Sequence, residues 1–392
     1  MPKTLLWHRR DSSRCKPLLV TGVRQCDHKG MNMKKAIITA LLLILTLGAT
    51  AQIKVEVSEP VELMSILSRT AGFQEYHTDL AGQYTKDTEA WFAPYKEHPI
   101  ISYYQGLHNH HDISYDAVMS MAIHLDMDKG KVKFLGEKSD LEERWKDVDV
   151  DDFIVRLNQF YKDTRFHEFF AQHWSFYEEG LKSYEANVMS FFHQDWYAQF
   201  YGTEATELFR IVVGFTYGDH NNGVARQLKG QPKEVFAICG YRLNPTTNQP
   251  VWDAALLIHE FNHSFVNPLL ETPANVALME KTGMKLLQFS QPEMEQQAYN
   301  DWKIVVNESV VRAAVFVYML DNNLVNRNTS NFMFSETWRK GFRWLPELVT
   351  SLRYYASHHE QYKTLGDYYP EIARCLNKYI EDEVGRIQKP LK

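Results

Sequence analysis

The residues His259-Glu260-Phe261-Asn262-His263 constrain this chain more than any other segment, because they follow the pattern H-E-x-x-H. Helix positions four residues apart share a face, so the imidazoles of His259 and His263 are expected to point the same way. Two imidazoles at that spacing can hold one metal ion, and the pattern is typical of zinc sites. Glu260 follows the first imidazole directly, where a carboxylate can take a proton from an attacking water.

The residues around the motif predict a helix of about 14 residues, a normal length for a globular protein. Asp253 is a good N-cap, residues 254–258 form the first turns, and Pro268 ends the helix. Within it the only charged side chain is Glu260, and burying an unpaired glutamate is costly without a metal or other partners. The sequence therefore favours a metal-binding helix over an ordinary core helix with two satisfied histidines.

A catalytic zinc site needs three protein ligands and one open position, so a third ligand must come from elsewhere. The extended pattern H-E-x-x-H-x-x-G-x-x-H is excluded, because Val266 and Leu269 occupy the last two required positions. Glu308 is the better candidate, since it follows Asn307 inside a strongly apolar helical run and must find a cation there. The alternative partner for this carboxylate is Arg312, one helical turn later on the same face.

These residues carry a resemblance to a known group of enzymes. The segment H-E-F-N-H, followed later by Asn307-Glu308, resembles the gluzincin group of zinc metallopeptidases. More narrowly, His259 to Pro268 (HEFNHSFVNP) and Val61 to Ile66 (VELMSI) are similar to a family of uncharacterised secreted bacterial proteins of unknown function. The resemblance extends over most of the chain that follows residue 51.

This resemblance implies a helix-dominated α+β fold of the zincin type, with a small mixed sheet packed on the H-E-x-x-H helix. It also implies that His259, His263 and Glu308 bind one Zn²⁺ per chain, and that Glu260 is the general base of a peptidase acting on peptides or proteins. Gluzincin aminopeptidases carry a G-x-M-E-N strand that grips the substrate N-terminus, and this chain lacks that segment. Endopeptidase and exopeptidase action therefore both stay open.

Two other classes of protein fit the same residues. One is a binding protein for peptide or glycan that keeps a zincin scaffold and its zinc without turning anything over. The other is a structural exported protein in which the motif arose by chance. Glu260 distinguishes these classes from an active enzyme, because a zincin scaffold that has lost its activity often loses the general-base glutamate. Its presence here favours catalysis.

A zinc peptidase also needs a hydrogen-bond donor for the oxyanion, usually from Tyr, His or Arg. The segment 351–359 offers Tyr354, Tyr355 and His358, and Arg312 is a further candidate. Tyr354 and His358 are the predicted catalytic partners of Glu260.

A second group of metal-capable side chains consists of His108, His110 and His111. Adjacent residues on a helix do not face one another. We therefore expect a solvated loop here, leading into a helix over 115–125, in preference to a second metal site.

Residues 31–51 have the order of a signal peptide. Lys34-Lys35 precedes the apolar run Ala36–Leu47, and Ala49-Thr50-Ala51 is an A-x-A cleavage site that makes Gln52 the first mature residue. The apolar run is too short for a stable membrane span. We expect export to the periplasm or the extracellular space, with no stable membrane anchor after cleavage.

Residues 1–30 look like a mis-assigned start and not like a domain.

The charge and the cysteine content of the chain beyond residue 51 limit the classes of partner and of covalent cross-link. Of 43 Lys and Arg, nine lie in residues 1–51, and of 49 Asp and Glu, two do, which leaves 34 against 47 and a net charge of −13 beyond them. An acidic surface argues against nucleic acid as a partner. Cys239 and Cys375 are the cysteines beyond residue 51, either bridged once or free.

Patterns along the rest of the chain predict two regions, residues 52–205 and residues 206–392. The first is mostly helical after a strand at 53–57 and a helix that begins at Pro60, with a loop or hairpin at 126–152. The second is the zincin-like catalytic region.

The catalytic region is predicted to begin with two strands, at 207–216 and 234–241. Between them a turn-rich loop is predicted over 217–223, in which Asn221-Asn222-Gly223 has strong turn chemistry. By analogy with zincins, residues 234–241 form the edge strand with which an extended peptide can pair.

Overall fold

The computed structural model describes residues 53–387, apart from residues 79, 205, 206 and 298. Helices dominate this part of the chain and the strands form two small sheets, as predicted for a helix-dominated α+β protein. The predicted leader and signal peptide at residues 1–51 lie outside the described residues, together with the predicted cleavage position at Gln52.

The described residues contain fifteen α-helices that are separated by short loops and single 3₁₀ turns. They are α1 Glu59–Thr70, α2 Gln83–Phe92, α3 Pro99–His111, α4 Tyr115–Ile123, α5 Val150–Asp163, α6 Phe166–Gln172, α7 Trp174–Asn187, α8 Gln194–Tyr201, α9 Ala254–Val266, α10 Pro273–Phe289, α11 Gln291–Glu295, α12 Trp302–Asp321, α13 Arg327–Arg339, α14 Leu345–Ala356 and α15 Leu365–Ile387. The predicted helix at Pro60 is α1, with that proline in its first turn.

Six strands form one four-stranded sheet and one hairpin. They are β1 Lys54–Glu56, β2 Leu125–Asp128, β3 Lys131–Phe134, β4 Leu208–Gly214, β5 Asn221–Arg226 and β6 Glu234–Gly240. The larger sheet has the order β1-β4-β6-β5, in which β5 runs antiparallel to β6 and the other pairs are parallel. The hairpin β2-β3 lies within the segment predicted as a loop or hairpin.

The loop predicted over 217–223 is confirmed for residues 217–220 but is wrong for Asn221-Asn222-Gly223, because these residues begin strand β5. Asn221 pairs with Cys239 on β6, and its side chain accepts a hydrogen bond from the Gly240 amide at 3.1 Å. The chain reverses earlier, around Gly218, whose φ of +83° is the left-handed conformation that glycine tolerates. The strongest turn-forming residues, Asn221-Asn222-Gly223, therefore lie after the chain reversal, inside the strand.

The predicted edge position of 234–241 is also wrong. Strand β6 is central, with β4 on one side and β5 on the other, so its backbone is paired along both edges. The edge strand next to α9 is β5, which the sequence pattern did not reveal. Its residues are short and polar, Asn-Asn-Gly-Val-Ala-Arg, and this composition is depleted in strands.

Aromatic stacking and one buried amide hold α9 in place. The rings of Phe209 on β4 and Phe261 on α9 stack with centroids 4.0 Å apart. Asn262 is fully buried, accepts a hydrogen bond from the Tyr201 hydroxyl at 2.8 Å, and donates to the Val311 carbonyl at 3.5 Å. These contacts fix α9 against the sheet, α8 and α12, and they give the Asn of H-E-F-N-H a structural role.

A buried carboxylate joins the first helix to the sheet. Glu62 on α1 is completely buried and accepts hydrogen bonds from the Phe215 amide, the Thr216 hydroxyl and the Tyr84 hydroxyl. Burial raises the pKa of Glu62, although these hydrogen bonds act in the opposite direction. The carboxylate thus satisfies donors where β4 ends, beside the turn toward β5.

The chain from residue 53 onward forms one compact unit. None of the helices in its described part has the length and apolar character needed to cross a bilayer. Cys239 is buried in β6 and Cys375 is partly buried in α15, and both are free thiols. The alternative of two unbridged cysteines is therefore confirmed for this structure.

Candidate metal centre

Helix α9 presents the two histidines of the motif on one face, as predicted. Its N-cap is Asp253, whose carboxylate accepts a hydrogen bond from the Ala255 amide at 3.0 Å. After Val266 the chain continues as a 3₁₀ turn over Asn267–Glu271, which contains the predicted helix-ending proline. The imidazole Nε2 atoms of His259 and His263 lie 3.1 Å apart.

Helix α12 brings Glu308 to the same place. Asp301 caps this helix by accepting a hydrogen bond from the Lys303 amide at 2.8 Å. The helix is apolar on most of its surface and buried through most of its length, so Glu308 reaches the histidines from inside the core. Only 7% of this residue is exposed.

The three side chains converge at a spacing that suits a metal ion. Glu308 Oε2 lies 3.5 Å from Nε2 of His259, and Glu308 Oε1 lies 3.3 Å from Nε2 of His263. Tetrahedral coordination with metal–ligand distances of about 2.0–2.1 Å separates ligand atoms by about 3.3 Å. The side chains of His259, His263 and Glu308 can therefore hold a metal ion. Among the described residues, this is the one group of three or more His, Cys, Asp or Glu side chains that meets at such a spacing.

Two further side chains orient the ligands. Asn267 Oδ1 lies 3.1 Å from His263 Nδ1, and an Nδ1–H donated to this amide oxygen leaves Nε2 free to bind a metal. Arg312 Nη2 lies 2.8 Å from Glu308 Oε2, so the ion pair that the sequence offered as an alternative is present together with the histidine contacts. Glu308 therefore has cationic or metal-binding groups on both sides.

The surroundings of Glu308 favour its ionised form. Burial opposes ionisation, but the two histidines and Arg312 hold the pKa of this carboxyl well below its usual range. Burial lowers the pKa of His263, and the Glu308 carboxylate reverses that effect and raises it above its usual value. Metal-binding groups of opposite charge are thus concentrated in one partly buried place.

Glu260 lies against the edge strand of the sheet. Burial raises the pKa of this carboxyl, while the neighbouring imidazoles act in the opposite direction. A Cβ atom at position 223 would overlap Glu260 Oε2, so the absence of a side chain on Gly223 gives the carboxylate its room. This glycine explains why β5 departs from an ordinary strand composition.

Two cavities flank Glu260. The first, which we call the α13 cavity, has a volume of about 410 Å³. Its walls include His259, Glu260 and residues of α12 and α13. The second, which we call the β5 cavity, has a volume of about 350 Å³ and reaches from Glu260 and His263 along β5. The candidate ligands therefore lie between two recesses, with Glu260 common to both.

Tyr299 and Arg312 are polar residues of the α13 cavity that lie beside the third ligand. Arg312 Nη2 donates to the Tyr299 hydroxyl at 3.4 Å, and burial together with the Glu308 charge raises the pKa of Tyr299 to about 12. Arg312 was a candidate from the sequence. Tyr299 was missed, because it stands in a loop before α12 and no pattern in the sequence relates it to His259.

The structure places the predicted catalytic residues Tyr354 and His358 elsewhere. Their rings stack on one another with centroids 3.8 Å apart, at the C-terminal end of α14. Tyr354 is 48% exposed, and neither residue lines the α13 cavity or the β5 cavity. Nothing in the sequence could have shown this, because Tyr is abundant throughout the chain.

The histidine cluster at 108–111 forms the last turn of α3, so the predicted loop is wrong. His108 stacks on Phe73 with centroids 4.0 Å apart, and its Nδ1 lies 3.0 Å from the Ile113 carbonyl oxygen. His110 is exposed, and the three imidazoles do not converge with other ligands in the described part of the chain. Packing and helix capping account for His108 without a metal.

Fold and site together define a helix-dominated α+β protein with a partly buried His-His-Glu group that can hold a metal ion. The sequence over residues 53–375, more than half of the chain, matches the family described as Domain of unknown function (DUF4932). The chain belongs to that family, in agreement with the resemblance seen at HEFNHSFVNP and VELMSI. Neither the curated proteins nor the solved structures compared with this chain gave a match.

Proposed function

We propose that this protein is a zinc-dependent hydrolase that cleaves peptide bonds. The observation that carries the proposal is the convergence of three metal-binding side chains beside a buried carboxylate, Glu260, which is shared by two cavities. A buried acid next to such a group, with space on both sides for a substrate, is the arrangement that hydrolysis by an activated water requires.

Zinc is the metal that suits these ligands best. Two neutral imidazoles and one carboxylate, with a position left for water, are the ligand set of many catalytic zinc sites. The spacing of the ligand atoms agrees with tetrahedral coordination, and Asn267 supplies the outer hydrogen bond that zinc-binding histidines usually make.

The residues of the chain divide the chemical work between them. His259, His263 and Glu308 would hold a zinc ion, which would supply a Lewis acid to polarise the scissile carbonyl and to acidify a water near neutral pH. Glu260 takes that proton on a carboxylate oxygen and later delivers it to the leaving amine. The Tyr299 hydroxyl and the Arg312 guanidinium are the donors placed to stabilise negative charge on the carbonyl oxygen.

Strand β5 supports a peptide as the substrate. It is the outer strand of its sheet next to α9, and its residues 223–225 line the β5 cavity together with Glu260. An extended peptide can add to such an edge through main-chain hydrogen bonds, which accept any side-chain sequence. The zincin type of fold, with β5 as its edge strand, is part of this proposal.

Zinc analysis and one conservative substitution test the mechanism together. We expect close to one zinc per chain in the purified protein, and its loss in His263→Ala and Glu308→Ala. Glu260→Gln should keep the zinc and lose nearly all hydrolysis of a peptide library, whereas Glu280→Gln on the exposed side of α10 should change neither.

Three outcomes would contradict or redirect the proposal. Protein that stays free of zinc after metal-replete purification would refute the metal centre. Full zinc with no hydrolysis of any peptide would favour the binding protein on a zincin scaffold. Unchanged turnover in Glu260→Gln would refute the assigned base.

We propose in addition that the protein is exported. The support is the order of charged, apolar and small residues over 31–51. N-terminal sequencing of the native protein should find Gln52 first, and an intact Met1 would contradict export by this signal.

A further inference from the structure

The α13 cavity combines apolar walls with two cations. Helices α12 and α13 form much of its wall, and the candidate metal ligand His259 lies at one end. Its apolar lining comes from Val315, Phe316, Phe332 and Met333. Lys340, which follows α13, and Arg312 on α12 bring positive charge to the same recess. A purely apolar substrate side chain would leave the Lys340 ammonium group without an anionic partner.

The two cations differ in how far they are neutralised. Arg312 is ion-paired with Glu308, but its buried Nε atom has no hydrogen-bond acceptor. No carboxylate of the described residues lies within ion-pair distance of Lys340 Nζ. Lys340 is an exposed residue of the recess. Desolvation and the nearby Arg312 lower its pKa, and the Glu336, Glu308 and Asp253 carboxylates only partly offset that effect.

The carboxylates that line the α13 cavity are already engaged. Asp253 caps α9, Glu336 is ion-paired with Arg339, and Glu260 lies against the backbone of β5 at Gly223. None of them makes a hydrogen bond or ion pair with Lys340. Lys340 therefore lines the recess without a carboxylate of the described residues within ion-pair distance of its ammonium group.

We propose that the α13 cavity is a subsite for a carboxylate of the substrate, bound by Lys340 with Arg312 behind it. This inference rests on the proposed function and adds a substrate class to it, peptides with an acidic group close to the cleaved bond. The carboxylate can belong to a Glu or Asp side chain or to the C-terminus of the peptide. Charge-assisted hydrogen bonds to an ammonium or guanidinium group recognise both.

Matched peptides distinguish the two sources. Internally quenched peptides that differ only in Glu or Gln at the positions flanking the cleaved bond are compared, each with a free and with an amidated C-terminus. We expect kcat/KM to favour a carboxylate by roughly tenfold or more, as one charge-assisted contact provides. Preference for Glu identifies a side-chain subsite, and preference for the free C-terminus identifies a carboxypeptidase-like one.

Substitution of Lys340 tests the assignment. Lys340→Met keeps the aliphatic stem, so it should remove the preference while neutral peptides are still cleaved, and Lys340→Glu should reverse it toward Lys-containing peptides. Lys281→Met, on the exposed face of α10, is the matched control and should keep the preference. An undiminished preference in Lys340→Met, or no preference in the wild type, would overturn the subsite and leave the hydrolase intact.

A binding measurement separates failure of the subsite from failure of the enzyme. Calorimetric titration of the zinc-loaded protein uses N-acetylglutamate α-amide, N-acetylglutamine with a free carboxylate, and neutral N-acetylglutaminamide. One of the two acids should bind at least roughly tenfold more tightly than the neutral probe, and Lys340→Met should abolish that difference. If the difference persists in Lys340→Met, the carboxylate binds the metal directly and the subsite is refuted. Retention of the subsite without any peptide hydrolysis would refute the proposed function alone.

Discussion

Gly223 shows how a missing side chain can set the position of Glu260, the proposed general base. In Gly223→Ala the new Cβ would overlap Glu260 Oε2 and force the carboxylate away from β5. We expect kcat/KM to fall by roughly 10- to 100-fold, since a displacement of about 1 Å is enough for such a loss. Zinc content should not change, and peptide hydrolysis with parallel metal analysis measures both.

Gly106→Ala is the control for that experiment. Gly106 lies in α3 with open space where its Cβ would be, so the added methyl group has no neighbour to displace. This variant should keep full activity. Equal losses in both variants would show that the effect at position 223 is not steric.

Asn267 lies where it can influence a bound metal through His263. Asn267→Ala removes the acceptor 3.1 Å from His263 Nδ1, so the imidazole loses the partner that fixes its orientation. We expect zinc affinity to fall by roughly 10- to 100-fold, the usual effect of losing such a partner. Competition with a fluorescent chelator measures it. Asn275→Ala, which removes an amide bound to the Leu269 carbonyl instead, should leave the affinity unchanged.

Glu62 links the stability of the fold to pH. Its folded-state pKa is raised, so the folded chain holds this proton more tightly than the unfolded chain does. The stability from this group is complete below the unfolded pKa near 4.5 and is lost as the pH rises through the folded pKa.

Glu62→Gln tests that linkage. This substitution replaces the ionisable carboxyl by an amide. The free energy of unfolding, measured by urea denaturation, should therefore fall less steeply than in the wild type as the pH rises above about 4.5. Glu62→Ala leaves buried donors unpaired and should cost roughly 1–3 kcal/mol. Parallel pH profiles for wild type and Glu62→Gln would disprove the linkage.

At the scale of elements, α13 stands apart from the helix beside it. Of its residues only Thr337 is buried, and Phe332 is 65% exposed, whereas α12 is buried along most of its length. Local opening requires little free energy where few apolar contacts are lost. Hydrogen exchange of amides 327–339 should therefore be at least roughly tenfold faster than in α12. Equal protection of the amides in α12 and α13 would contradict the inference that α13 is weakly packed.

The sequence predicted elements best where local chemistry and burial agreed. Asp253 and Asp301 cap α9 and α12, and apolar runs inside these helices lie in the core, so the positions of His259 and Glu308 followed from local patterns. Strand β5 was missed because its residues suit contact with Glu260 and pairing with β6. Both of these partners are distant from β5 in sequence, so no local pattern indicates the strand. Tyr299 was missed for the same reason, since its place beside Arg312 depends on how the loop before α12 packs.

At the scale of the whole molecule, the candidate metal ligands come from two helices, α9 and α12, that are far apart in sequence. A ligand that binds only the folded state stabilises it by about 4 kcal/mol when its free concentration is 1,000 times Kd. Removing zinc with a chelator should therefore lower Tm markedly. His263→Ala should show no response to the chelator, and an equal shift in that variant would mean that the chelator acts elsewhere.

Strand β1 has a consequence for the order in which the chain folds. Its register pairs Lys54 with Arg210 on β4, so the two neighbours are separated by the helices α1 to α8. Contacts between such distant segments form slowly, because the long intervening chain must first be closed into a loop. A fragment that begins near residue 206 would carry every candidate ligand but would leave the outer edge of β4 bare, ready to pair with another chain. The first residues of the described chain thus protect the sheet that packs against the candidate metal centre, and a fragment without them should aggregate more readily than the whole chain.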